Sequence, residues 1–229
     1  DRDLDELQLP HALIVKALRF LSTGRPTEPA RIVVRGRTGS GRHTLLTSLA
    51  ARAGRGLGVI DLSVVPRESG RLVAVLESAL RRSMLRGLVP CVDGLELIGS
   101  DERDLQIQVA TTLRAHPGPV ALCMPHEGSI PLDPGYLPLE VPVRNERERG
   151  ESWTIALERH GIPLADASDL ASLYRVGPGT IERVCIEVMR RPDPPTDAAG
   201  WLRELDDAVR QHLENRLGKS ASRVSRLAT

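Results

Sequence analysis

The chain has 229 residues, with 31 basic against 30 acidic side chains and a net charge of +1. That length buries a core without disulfide staples, and that balance supplies no whole-chain field for nucleic acid or for a membrane surface. No run approaches the roughly 18 apolar residues of a membrane helix, and the chain opens on acidic residues where a signal peptide is basic, so a cytoplasmic protein is expected.

Residues 10–21 place Leu13, Ala17, Phe20 and Leu21 on one helical face, and Ser-Thr-Gly at 22–24 ends the run. Residues 31–35 (Arg-Ile-Val-Val-Arg) read as a short strand that stops at a glycine-rich turn, after which a helix is predicted from Arg42 to about Arg55. The alternation then repeats: strand 57–62, helix 71–85, strand 89–93, helix 102–115, strand 120–124. Strands separated by helix-length segments indicate a parallel sheet covered on both faces. Residues 137–143 carry Pro138 and Pro142, which suits an edge strand.

From Asn145 the signals are helical only. Trp153, Ala156, Leu157 and His160 share a face before Gly161 and Pro163 stop the helix. The run of Arg and Glu at 144–151 reads as a solvated helix start with i, i+4 pairs. A second helix is predicted at 169–175, a third capped by Thr180, and a fourth carrying Trp201, Leu205, Ala208, Val209, His212 and Leu213. The end contains Arg216, Lys219, Arg223 and Arg226 with no acid, and reads as a linker. The expected organisation is an α/β subdomain over 1–144, a helical subdomain over 145–217, and a basic tail over 218–229.

Between the first strand and its helix lies Gly36-Arg37-Thr38-Gly39-Ser40-Gly41-Arg42-His43-Thr44, in the context that a phosphate-binding loop requires. Glycines at 36, 39 and 41 let the backbone turn its N–H groups inward as an anion nest at a helix N-terminus. The P-loop pattern G-x-x-x-x-G-K-[ST] is met at Gly36 and Gly41 but carries Arg42 for lysine and His43 for the hydroxyl residue. Of the 31 basic residues only Lys16 and Lys219 are lysines, so this composition reaches the one position where lysine matters. A guanidinium is larger and planar. An imidazole offers nitrogen where Mg²⁺ prefers oxygen, and Thr44 falls about 100° round the helix from the needed direction.

The predicted strand 89–93 ends in Asp93, as in a Walker B pattern where an aspartate orders the magnesium shell. Gly94 follows it, and Glu96 lies two residues further on. Cys91, Cys123 and Cys185 show no CxxC spacing and are odd in number, which argues against a zinc site and against a disulfide framework. Cys91 and Cys123 read as core residues, and the histidines sit singly along the chain without an HxxxH pair. Five aromatics leave little material for base-stacking platforms.

With these features the chain resembles an AAA+ ATPase module over roughly residues 8–217. Residues 35–46, Val92-Asp93-Gly94-Leu95, His116-Pro117-Gly118-Pro119-Val120 and residues 176–181 are similar to the degenerate first module of two-module bacterial AAA+ proteins, some of them associated with contractile injection systems. The resemblance implies a P-loop NTPase-like five-stranded parallel sheet with helices on both faces, followed by an all-α lid. It implies ATP or ADP as ligand, on Gly36, Thr38, Gly39, Ser40, Gly41, Arg42, His43 and Thr44, with Asp93 as the position for Mg²⁺ and Asp93 and Glu96 as the positions for hydrolysis. It implies as partner a following, intact AAA+ module, with the basic tail as the start of the connection, or a homo-oligomer.

Four positions depart from an active member. Gly94 stands where the water-polarising glutamate is expected, and Leu122-Cys123-Met124-Pro125 offers no sensor-1 polar residue. Residues 115–143, where an arginine finger would lie, contain no Arg or Lys. The sensor-2 arginine has only Arg183 as its candidate. The expectation is a structural or regulatory module that binds nucleotide with little or no hydrolysis. Two alternatives stand beside it: a Mg²⁺-dependent ATPase with an atypical site of Arg42, Thr44, Asp93 and Glu96, and a DNA-engaging module using the helical subdomain and the basic tail.

Overall fold

Short apolar runs punctuated by glycine, proline or charge become the strands of a five-stranded sheet. The computed structural model describes residues 11–22, 29–37, 39–66, 68–99, 101–127 and 135–227. The strands are β1 (Arg31–Arg35), β2 (Gly56–Asp61), β3 (Leu88–Asp93), β4 (Val120–Met124) and β5 (Leu137–Glu140). Their order is β2-β3-β4-β1-β5, and every pairing is parallel. Parallel neighbours need crossovers, which are supplied by α2 (Arg42–Arg52), α3 (Ser69–Leu85) and α4 (Arg103–Ala115); α1 (His11–Ser22) precedes the first strand.

Period-two alternation sends neighbouring strand residues to opposite faces. Ile32, Val34, Cys91, Ala121 and Cys123 join a core with Ala17 and Leu21 of α1 and Leu45, Leu46 and Leu49 of α2. Val33, Val92, Val120, Leu122 and Met124 join a second core with Leu72, Leu76 and Leu80 of α3 and Leu105, Val109 and Leu113 of α4. Both faces are therefore covered, as the near-continuous apolar strands require. The helix after β1 lies on one face and the helices after β2 and β3 lie on the other, so the loops part at the carboxyl ends of the strands, where open α/β sheets bind ligands.

The boundaries differ from the sequence reading in ways that have local causes. β2 ends at Asp61, whose carboxylate accepts from the Ser63 N–H at 2.8 Å and turns Leu62–Val64 into a 3-10 turn. α2 stops at Arg52 because Gly54 takes a left-handed conformation, with φ of 71°. β5 is an edge strand as expected, paired on one side with β1. In β3, Pro90 lacks an N–H, and the pairing to β4 begins just after it, at Cys91 opposite Ala121.

The chain divides into two units after Pro142. In the second unit the described elements are all helices: α5 (Glu146–His160), α6 (Ser168–Leu173), α7 (Pro178–Met189) and α8 (Ala198–Leu227). Trp153, Leu157, Ile181, Val184, Leu205 and Val209 form its core. α5 starts with a reciprocal capping box between Asn145 and Glu148 and ends at left-handed Gly161. Thr180 is not a cap: Gly177 holds that position, Pro178 opens α7, and Thr180 is buried inside the helix. The solvated reading of 144–151 holds for Arg147 and Glu151, paired at 3.1 Å, but not for Arg149. Arg149 is buried and donates from Nε and Nη2 to the Ala171 carbonyl at 2.9 and 2.8 Å. The basic stretch from Arg216 is helical backbone as far as Leu227, where an unstructured linker was expected. Among the described residues no helix is long and apolar enough to cross a membrane.

Candidate functional site

The loop from β1 to α2 is tied to the sheet at its entry, where the Gly36 N–H donates to the Met124 carbonyl at 3.2 Å. A Cβ on Gly36 would stand 2.7 Å from Ser40 Oγ and 3.3 Å from Val141 Cβ, so a larger residue there would displace the Ser40 hydroxyl and press on Val141. Gly39 and Gly41 take left-handed φ values of 82° and 99°. Gly41 is the N-cap of α2, and no side chain caps that end. The first N–H groups of a helix have no intrahelical partner, so this uncapped end presents free donors and the positive pole of the helix. Ser40 Oγ beside it is buried and has no hydrogen-bond partner among the described residues. A buried hydroxyl without a partner is costly, and it marks a place where a ligand acceptor would be rewarded.

The next side chains turn toward β3. Arg42 is 8 % exposed and sets Nη2 3.8 Å from Asp93 Oδ1, a charge contact rather than a hydrogen bond. His43 Nε2 lies 3.1 Å from Asp93 Oδ2, with the imidazole about half exposed. The Gly94 N–H also donates to Asp93 Oδ1, at 3.0 Å. Asp93 thus spends its oxygens on its own loop, on an imidazole and on a guanidinium. The hydrogen bond to Asp93, with a second to Cys123, raises the His43 pKa from 6.5 to about 10. Burial raises the Asp93 carboxyl, but the His43 hydrogen bond and the Arg42 charge outweigh it, and the net shift is downward.

Beneath the imidazole lie two thiols. Cys91 and Cys123 are both buried, and their Sγ atoms are 3.5 Å apart. Register explains the meeting: Asp93 pairs with Cys123 across β3 and β4, and period two returns Cys91 to the face of Asp93. One donor atom each from His43, Cys91 and Cys123 lies within 4.8 Å of the others. The hydrogen bond from Cys91, then that from His43, lowers the Cys123 thiol, while the Cys91 thiol is raised by the same contact and by burial. Cys123, His43 and Asp93 follow the order of a nucleophilic triad, but a thiol at 0 % exposure meets no substrate from solvent.

The reading of Cys91 and Cys123 as core residues holds, since both are buried in the core on this face of the sheet, while the reading of His43 as an isolated histidine is corrected. No spacing signal joins a helix start to two strands, and only the strand order brings them together. Neither Thr44 nor Glu96 belongs to this cluster. Thr44 is exposed on α2, and Glu96 is exposed on the 3-10 turn Leu95–Leu97. Thr38 lies outside the described residues. Arg183 belongs to the second unit, where it is exposed and donates from Nε to the Gly179 carbonyl at 3.1 Å. The donor set at Asp93 does not fit Mg²⁺, which needs several oxygens: imidazole and thiols surround the one carboxylate, and that carboxylate is engaged.

Fold and site together define an α/β protein with a parallel sheet and an uncapped, glycine-built helix start at its carboxyl edge. No protein-family model and no curated protein matches the chain.

Proposed function

We propose that the loop 36–44 holds the phosphate chain of ATP or ADP, in a degenerate AAA+-like module that hydrolyses nucleotide very slowly or not at all. The observation that carries this reading is the partnerless buried Ser40 Oγ beside the uncapped N-terminus of α2. A phosphate oxygen satisfies both the hydroxyl and the first-turn N–H groups, with Arg42 as a fixed cation at its side. Against hydrolysis stand the engaged Asp93, the glycine that follows it, and the exposed position of Glu96. Loss of one charge-stabilising group in phosphoryl transfer already costs about 10³- to 10⁵-fold in rate when that group is an arginine finger.

The module's role is then structural or regulatory, with the helical second unit as its lid and an intact AAA+ module or further copies of the chain as its partners. Calorimetric titration with ADP tests the reading. Binding is expected in the wild type, with affinity reduced about 2- to 10-fold in Ser40→Ala, the range of a single hydrogen bond. Equal affinity in Ser40→Ala, or no binding to the wild type at millimolar ADP, overturns it.

A further inference from the structure

We propose that His43, Cys91 and Cys123 form a three-ligand site for a borderline-soft divalent cation, Zn²⁺ in the first place, with Asp93 as the positioning residue of the imidazole. The inference is independent of nucleotide binding. Its basis is the convergence, from three separate elements, of one nitrogen and two sulfur donors within 4.8 Å. With Zn–S near 2.3 Å and Zn–N near 2.0 Å, a tetrahedron has an S–S edge of about 3.8 Å and an S–N edge of about 3.5 Å. The sulfur pair stands at 3.5 Å, already close to that edge, and the imidazole nitrogen lies within 4.8 Å of both sulfurs.

The environment fits a metal better than it fits plain packing. Two thiols and an imidazole suit Zn²⁺ and exclude Mg²⁺ and Ca²⁺. Asp93 Oδ2, 3.1 Å from His43 Nε2, fixes the ring as carboxylates do beside metal-bound histidines. The cysteines are at 0 % exposure, so the cation enters on the half-open His43 side, and solvent takes the fourth position. Ligation displaces the protons held by the thiols and by the His43 imidazolium and releases them to solvent, with no change in oxidation state.

The test uses the whole chain, reduced, stripped with a chelator and titrated with Co²⁺ and then Zn²⁺. One equivalent of Co²⁺ is expected to give a sulfur-to-cobalt charge-transfer band and the visible bands of tetrahedral geometry, and one equivalent of Zn²⁺ should bleach them. Cys91→Ala and Cys123→Ala should each lose at least half of the charge-transfer intensity, with folding checked by circular dichroism. His43→Ala, at a half-exposed position and with folding checked in the same way, should weaken binding at least tenfold, and Asp93→Asn about 10- to 100-fold. Cys185→Ala, in the other unit, should leave the spectrum unchanged. Absence of the band in the wild type, unchanged affinity in His43→Ala, or loss of the band in Cys185→Ala overturns the proposal.

Discussion

His43 Nε2 and Asp93 Oδ2, 3.1 Å apart, join the start of α2 to the end of β3. The second residue of α2 therefore faces the strand-end carboxylate directly. Arg42 reinforces the same carboxylate from the preceding position. The strand-end acid is thus engaged by both of the first two side chains of α2.

Backbone conformation at Gly41 gives the most local expectation. Its φ of 99° is left-handed, and an L side chain there costs about 1–2 kcal/mol. Gly41→Ala should lower the free energy of unfolding in urea by that amount and weaken ADP binding in step. A variant as stable as the wild type with full ADP affinity would show that the helix start does not depend on this conformation.

Arg31 shows why a buried cation can be structural. It is 8 % exposed, and its guanidinium donates to the carbonyls of His116 at 2.6 Å, Gly118 at 2.7 Å and Arg114 at 3.3 Å. These carbonyls lie at and just beyond the end of α4, ahead of β4, where helix carbonyls lack internal partners. Arg31→Met keeps the packing and leaves them unpaired, and should cost about 1–3 kcal/mol in denaturant unfolding. No measurable change would place those carbonyls in contact with water.

His116 sets the acid limb of stability. It is buried, its Nε2 has no partner, and burial followed by the Arg31 charge lowers its pKa below 6.5. A depressed folded-state pKa gives stability that is fully present above 6.5 and is lost as pH falls through the folded value. Urea unfolding at pH 7.5 and 5.0 should therefore show a smaller loss of stability in His116→Gln than in the wild type. Equal losses would assign the acid limb to other groups.

Much of the sheet was legible from residue pattern. β1 and β4 fall where their β-branched and apolar runs lie, because arginine and Gly36 bound the first and Pro119 and Pro125 bound the second. β5 reads as an edge from Pro138 and Pro142. Strand order was not legible, since period and propensity say nothing of which strands become neighbours. For that reason Cys91 and Cys123, each read as a core residue, concealed a contact, and His43 seemed to stand alone. The tail failed differently: a basic run without apolar periodicity reads as linker, yet residues beyond Arg216 continue α8. Thr180 misled as a cap because a hydroxyl after Gly177-Pro178-Gly179 suits that role, whereas proline at the first helical position moves the start earlier.

Calorimetric titration of ATP and ADP into the whole chain, with and without Mg²⁺ and followed by a phosphate-release assay, bears most directly on the reading of the loop. Binding should be equal with and without Mg²⁺, should fall at least tenfold in Arg42→Ala, and should proceed without steady turnover. Sustained Mg²⁺-dependent phosphate release that Asp93→Asn abolishes would contradict it, because the carboxylate engaged by His43 and Arg42 would then be serving a magnesium shell.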